Sequence, residues 1–325
     1  MNILRRHLLT MATFAVALGA TLEAYASGYP ERPIRIVVPF APGGPADVLA
    51  RLIGQEINSP LGQPLIVDNK AGAAGNIGVS QIAKATPDGY NIGVVPIGNV
   101  AVNPALYSSL PYKPSELIPI VMLGSVENVL VVNSAVAART VKELQALAAA
   151  KPTAVSFSSA GAGSQAHLAG ELLAQELHVQ LTHIPYKGLG PALNDVVSGQ
   201  VTMMFGPLSA VQPFVKSGKL KAIGVATPQR SKSWPELPTL AEQGLAQFEA
   251  VSWYALMAPA GTPKAVIDRL NVEVNKALTQ NSVRQRVRSL GFEPGGGTPQ
   301  ELSANIDRES IRWTSLVRQK GLTVD

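Results

Sequence analysis

Cysteine is absent from the 325-residue chain, which excludes a disulfide scaffold, a thiolate metal site and a lipid-modified N-terminal cysteine. Charge is sparse. Asp, Glu, Lys and Arg make up 15% of the residues, and the basic ones are scattered rather than gathered in a run with interleaved aromatics, so no nucleic-acid surface is supported. Beyond His7 the histidines are His167, His178 and His183. The last two flank a helix-to-strand turn, which argues against a shared metal. Neither a Gly-x-Ser-x-Gly elbow nor a Gly-x-x-x-x-Gly-Lys-Ser/Thr loop occurs, which removes the commonest hydrolase and nucleotidase signals. No nucleophile–base pair stands out, so the sequence assigns no catalytic residue, no metal and no cofactor. After the first 26 residues there is no second long apolar run, and the remainder is expected to span no membrane.

What is present begins with Arg5-Arg6, an uncharged apolar stretch from Leu8 to Leu22, and Ala24-Tyr25-Ala26. This reads as a secretory signal peptide, residues 1–26, cleaved after Ala26 to leave Ser27 at the start of a mature periplasmic protein free of the membrane. Cleavage removes Arg5, Arg6 and Glu23 from totals of 27 basic and 22 acidic side chains, leaving 25 and 21, a net of +4. That mild positive field suits a small anionic ligand.

The rest is long enough for two domains. Apolar periodicity predicts strands at Ile34–Pro39, Leu65–Asn69, Asn91–Val95, Ile118–Leu123, Val129–Asn133, Val155–Ser158, Leu181–Ile184, Val201–Phe205, Lys221–Ala226 and Val251–Ala258. Helices are predicted at Ala46–Ile57, Asn76–Ala85, Thr140–Ala150, Ser164–Leu177, Gly190–Ser198, Ser209–Lys216, Pro263–Thr279, Ser282–Leu290 and Pro299–Lys320. The alternation predicts an α/β protein with parallel sheets covered on both faces, which bind ligands at the carboxyl ends of strands. The chain is expected to leave the first domain near Ser125–Asn128 and return near Glu249–Ser252. Residues 27–125 and 250–325 would then form one discontinuous domain and 126–249 the other.

Two glycine-rich junctions lie at such strand ends: Phe40-Ala41-Pro42-Gly43-Gly44-Pro45-Ala46-Asp47 and Ser158-Ser159-Ala160-Gly161-Ala162-Gly163-Ser164. The first turn of a helix leaves N–H groups unpaired and partially positive, so each junction reads as an anion cradle. In the first, backbone from Ala41 to Ala46 would hold a carboxylate under Phe40; the alternative is a tight turn in which glycine only permits close packing. Asp47 either touches ligand or only favours the helix dipole. The second fits a dinucleotide pattern, but the Leu181–Tyr186 region offers no acid for a ribose. Ser158, Ser159, Gly161, Gly163 and Ser164 are therefore read as donors to a ligand anion, and His167, one turn further, as a contact or a helix-face residue. Tyr186, Gly98 and Asn99 follow other strands and are placed at the cleft edge.

The chain resembles the solute receptors of tripartite tricarboxylate transporters, the Bug-type extracytoplasmic binding proteins. The likeness rests on Tyr29-Pro30-x-Arg32-Pro33-Ile34, Val38-Pro39-Phe40 with Gly43-Gly44 and Asp47, and Asp68-Asn69-Lys70-Ala71-Gly72-Ala73-Ala74-Gly75-Asn76-Ile77-Gly78. It continues in Pro87-Asp88-Gly89-Tyr90, Asn103-Pro104-Ala105-Leu106-Tyr107, Pro185-Tyr186-Lys187-Gly188, Leu237-Pro238-Thr239-Leu240-Ala241-Glu242 and Ala258-Pro259-Ala260-Gly261-Thr262-Pro263. The resemblance implies a two-domain periplasmic-binding-protein fold of type II-like form, with a ligand cleft between the domains and two crossover hinge strands. It also implies a monomer that takes a small organic acid and delivers it to membrane permease subunits. One departure stands out: where the family often ends the strand after Phe205 with an aspartate, this chain has Gly206 and then Pro207. A signalling receptor would use the same cleft, and an enzyme on an anionic substrate would need an acid–base pair that the sequence does not offer.

Overall fold

In a computed structural model of the chain, residues 28–151, 155–186, 188–246 and 248–323 are described; the predicted signal peptide and Lys187 lie outside them. The chain first forms β1 (Ile34–Val38), α1 (Pro45–Leu61), β2 (Leu65–Asn69), α2 (Asn76–Ala83), β3 (Asn91–Pro96), a short helical stretch from Gly98 to Leu106, and β4 (Leu117–Val126). It continues through β5 (Asn128–Asn133), α3 (Val141–Ala150), β6 (Ser156–Ser159), α4 (Gln165–Glu176), β7 (Thr182–Pro185), α5 (Leu189–Ser198), β8 (Met203–Pro207), α6 (Leu208–Lys216) and β9 (Leu220–Val225). It closes with β10 (Ser252–Pro259), α7 (Lys264–Thr279), α8 (Asn281–Ser289), β11 (Glu293–Gly296) and α9 (Pro299–Lys320).

These elements build two sheets, ordered β11-β4-β10-β3-β1-β2 and β7-β6-β8-β5-β9. Each sheet is buried on both faces, which is why its strands read as continuous apolar runs. In the first, Leu49, Ile53 and Ile57 of α1 and Leu270 and Val274 of α7 cover one face, while Val79 and Ile82 of α2 and Trp313 and Leu316 of α9 cover the other. In the second, Leu144 of α3 and Ala169 and Leu173 of α4 lie on one face, and Val196 of α5 and Val211 of α6 on the other.

The sheets are mixed rather than parallel. β1 runs parallel to β2 and β3, and β6 parallel to β7 and β8. By contrast, β10 is antiparallel to β3 and β4, and β5 antiparallel to β8 and β9. The reason lies in the connections. β4 passes into β5 through Glu127 alone, and β10 brings the chain back, so neither strand has a crossover helix to set it parallel to its neighbours. The two passages are laced together: Ser252 pairs with Val126, and buried Asn128 donates through Nδ2 to the Ala250 carbonyl at 2.7 Å and to Ser252 Oγ at 3.2 Å.

Candidate functional site

The first junction leaves the carboxyl end of β1 and turns into α1 through Gly43, whose φ of +83° is a backbone state that favours glycine. Asp47 sets the turn. Its carboxylate, 3% exposed, accepts from the Gly43 N–H at 2.9 Å, from Arg51 Nε at 3.0 Å and from Asn69 Nδ2 at 3.0 Å. Burial alone would raise its pKa, but these bonds from Arg51, Gly43 and Asn69, with the Arg51 charge, hold it below the usual carboxylate range. Asn69 also donates to the Phe40 carbonyl at 2.9 Å, pinning the loop to β2. This differs from a reading in which the Gly43 N–H meets a ligand, because that donor is already committed. The first-turn N–H groups of Ala46 and Asp47 have no partner within the helix and remain as the junction's donors. Ala41 and Gly43 are exposed and Gly44 half-buried at the N-cap of α1.

A neighbouring loop, legible in the sequence only as a family motif, completes this side. Gly72 to Gly75 runs through positive φ at all four residues, including Ala73 at +46° and Ala74 at +52°, conformations that non-glycine residues seldom adopt. Gly75 lies between Phe40 and Asn99: a Cβ on it would stand 3.2 Å from the Phe40 ring and 3.2 Å from Asn99 Oδ1. Asn99, 2% exposed, donates to the Ala74 carbonyl at 3.2 Å and to Asn76 Oδ1 at 2.9 Å. Asn76 Oδ1 also takes bonds from Asn103 Nδ2 at 2.8 Å and the Tyr112 hydroxyl at 3.0 Å. Phe40, Asn99 and half-buried Gly98 are thus brought to one place, on a polar hub made by Asn76.

The second junction repeats the device. It leaves β6, passes Gly161 at φ +137° and Gly163 at φ +77°, and enters α4, where the N-cap Ser164 accepts from the His167 N–H at 3.4 Å. Gly163 donates its N–H to His167 Nδ1 at 3.0 Å, the same four-residue reach as Gly43 to Asp47. Ser158 and Ser159 are wholly buried, and their hydroxyls point inward: Ser158 donates to the Ala192 carbonyl at 3.0 Å, and Ser159 to the Gly161 carbonyl at 3.0 Å. The donors left at the helix start are the N–H groups of Gln165 and Ala166.

Behind this loop, Phe157, His183 and His167 are stacked, with the two imidazoles 3.9 Å apart at their centroids. Burial lowers the His167 pKa to about 4; burial, then the neighbouring ring, does the same for His183. His167 is therefore a neutral acceptor that braces Gly163, rather than a cation offered to a ligand. The fold also makes a serine–histidine contact across 24 residues that sequence spacing hid, Ser159 Oγ to His183 Nε2 at 2.7 Å. The Gly161 carbonyl lies within reach of the same hydroxyl at 3.0 Å, and the imidazole tautomer decides which side donates across the Ser159–His183 contact.

The two remaining candidates turn away from the cleft edge or line it by backbone. The Tyr186 hydroxyl donates to Asp195 at 2.5 Å; that bond, then burial, raises its pKa to about 12. Gly206 pairs with Val129, and a Cβ there would meet a methyl of Val211 at 2.5 Å, so a side chain at this position would first have to displace Val211. Beside it, Pro207 and Ser209 face Gly43, Pro45 and Val48 across a cavity of about 190 Å³ floored by Val126, Ser252 and Tyr254. Further round the seam, Leu168 and Leu172 of α4 pack with Trp313 and Leu316 of α9, and Gln175 Nε2 donates to Gln319 Oε1 at 2.7 Å. Among the described residues, no helix is long and apolar enough to cross a membrane, and no group of three or more His, Asp or Glu is placed to hold a metal.

Two sheets laced by paired crossings, each sending a braced glycine turn into a helix start, define the class: a periplasmic-binding-protein fold of solute-receptor type. The chain belongs to the tripartite tricarboxylate transporter family receptors, whose model matches residues 49–322. Among solved structures it is similar to R. palustris Rpa4515 with adipate, at 33% identity and a TM-score of 0.82 over 91% of this chain and 100% of that one. It is also similar to the periplasmic binding protein BugD, at 35% identity and a TM-score of 0.78 over 91% of this chain and 100% of that one. A third similar structure is MatC from Rhodopseudomonas palustris with bound malate, at 33% identity and a TM-score of 0.78 over 89% and 100%.

Proposed function

We propose that the chain is exported through cleavage after Ala26 and works in the periplasm, capturing a small carboxylate-bearing metabolite by hinge closure and delivering it to a tripartite tricarboxylate-type permease. Residues 27–125 with 250–325 form one lobe and 126–249 the other. The observation that carries the reading is the pair of braced turns. In each, a side chain four residues on fixes the glycine and leaves the next helix's first N–H groups to receive an anion. The adipate of Rpa4515 and the malate of MatC support a carboxylate.

Hinge closure is supported by the two adjacent crossings, where Ser252 pairs with Val126 and Asn128 ties both passages together, so that they can bend as one. The mature N-terminus is expected at Ser27, which N-terminal sequencing of periplasmic protein checks; recovery only in membranes with Met1 intact would reject export.

The binding test is calorimetry on matched acids. Asp47 is fully engaged, and Gly206 offers no carboxylate, so a ligand ammonium would have no buried anion to balance it. Succinate and glutarate are expected to bind more tightly than aspartate and glutamate. At about a hundred times its dissociation constant, the bound acid adds roughly 2.7 kcal/mol of stability. Its closure should shrink the radius of gyration in small-angle scattering. Tighter binding of the amino acids would reject the ligand class, and a stabilising ligand that leaves the radius unchanged would reject the clamp.

A further inference from the structure

The chain crosses between the lobes at Glu127 and again on its return into β10, and α9 adds a third connection made by side chains. Its first turns sit on the first sheet, where Leu302 joins the cluster of Trp253 and Met257. Its last two turns reach the other lobe. Leu168 of α4, wholly buried, and Leu172 pack into the same cluster with Trp313 and Leu316. Gln175 Nε2 donates to Gln319 Oε1 at 2.7 Å, and the Lys320 charge acts on Glu171. Residues 168, 171, 172 and 175 recur at three- and four-residue spacing, so one face of α4 makes all of these contacts. Arg312 fixes the helix to the return passage as well. Its Nη2 donates to the Glu249 carbonyl, and its guanidinium carbon lies 4.9 Å from the ring centroid of Trp313. Trp313 in turn donates through Nε1 to buried Glu309 at 2.8 Å.

The helix held in this way is the one whose first turn forms the second cradle. A helix moves as a rod, so the cradle draws back from the first lobe only if the 168–175 face slides on α9 or lifts from it. Lifting exposes Leu168 and Trp313, 0% and 1% exposed here, so apolar burial opposes opening. The restraint is limited. Beyond Leu172 the seam widens into a cavity of about 290 Å³, with Gln175 and Glu176 on one side and Arg312, Ser315 and Gln319 on the other. Such a join parts more readily than a close-packed core. We propose that α9 is an interlobe strap: its last two turns hold α4 against the first lobe, restrain opening of the empty receptor and so set how much of it is ready to bind. Apparent affinity then scales with the fraction of molecules the strap keeps closed. The inference rests on the two-lobe, hinge-closing reading above.

The absence of cysteine makes a clean test, since Gln175→Cys with Gln319→Cys supplies the only two thiols in the chain. Two glutamines end to end reach further than a disulfide spans, so the bridge is a bifunctional thiol reagent on the order of 10 Å long. Small-angle scattering is run on the mature protein, empty and with succinate, for wild type, the double variant before and after bridging, and Leu172→Ala. Calorimetry with succinate follows on wild type and Leu172→Ala. Bridging is expected to shrink the empty protein's radius of gyration to near that of succinate-bound wild type. Leu172→Ala should enlarge the empty radius and weaken succinate binding by about threefold or more. A bridged radius equal to the unbridged one would mean that the seam stays together in every state, and overturns the strap. So does failure of the reagent to join the two sites, which would place α4 and α9 apart in solution. Leu172→Ala that binds as tightly as wild type overturns it too, and if that variant does not fold the bridged pair decides alone. If wild type binds no succinate, the carboxylate reading is what fails, and the empty radii still decide the strap. If wild type binds succinate with its radius unchanged, the closure reading fails and this inference with it.

Discussion

Asp47→Ala is expected to destabilise the protein by about 2–3 kcal/mol and to weaken ligand binding at least tenfold, although Asp47 does not meet the ligand. The carboxylate is buried and serves Gly43, Arg51 and Asn69 together, so its loss leaves the Gly43 N–H and the Asn69 amide without their partner. The Arg51 side chain is half exposed, so its share is screened and the larger loss comes from the two neutral donors. With the brace gone, the turn at φ +83° loses the bond that defines it, and the N–H groups of Ala46 and Asp47 are no longer held in place. Asp47→Asn keeps one acceptor oxygen and should lose less than half as much. Urea unfolding and calorimetry on both variants check this. An affinity loss in Asp47→Ala with unchanged stability would reverse the assignment and put Asp47 in direct contact with the ligand.

The sequence carried the wound strands and their helices well because each buries two faces or one continuous stripe. Leu65–Asn69 and Pro299–Lys320 fall where periodicity placed them. β11 was not legible, because Glu293-Pro294-Gly295-Gly296 has no apolar pattern and is a strand only through pairing with the edge of β4. The reversed direction of β10 was hidden for a related reason: alternation reports which elements exist, while strand direction depends on how the chain crosses between sheets. At the site, glycine spacing located both junctions but not their wiring. Which N–H groups stay free depends on Asp47 and His167 reaching back four residues. His183 reaches Ser159 only through the parallel register that sets Phe157 beside it. Asn76 gathers Asn99, Asn103 and Tyr112 from as far as 36 residues away, which local pattern does not encode. Asn69 and Gly75 lay within the quoted motif, and the cluster of positive-φ residues around Gly75 is the feature that marks them as more than turn residues.

Acidification is expected to unfold this protein through its paired histidines. His167 and His183 stay neutral in the folded chain down to about pH 4, against an ordinary value of 6.5. Between those limits the unfolded chain binds more protons than the folded one, so stability is complete above about pH 6.5 and falls as the pH drops toward 4. Each histidine contributes up to about 1.4 kcal/mol per pH unit across that window. Stacking at 3.9 Å means that a first imidazolium opposes the second. Glu171, 3.8 Å from His167 Nε2, works the other way: burial raises its pKa, so its own protonation favours the folded state on acidification. The histidine pair should dominate, because it loses two neutral rings where Glu171 supplies one raised carboxyl. Binding should hold through that range and decline only near pH 4, where a protonated His167 Nδ1 no longer accepts from Gly163 and the second cradle loses its brace. Urea unfolding from pH 7.5 to 4.5 reads the slope directly, and His183→Gln, which keeps a donor toward Ser159, should flatten it by about half. A wild-type slope near zero, or an unchanged slope in His183→Gln, would show that the imidazoles are already protonated in the folded chain, and the neutral brace at Gly163 would have to be abandoned.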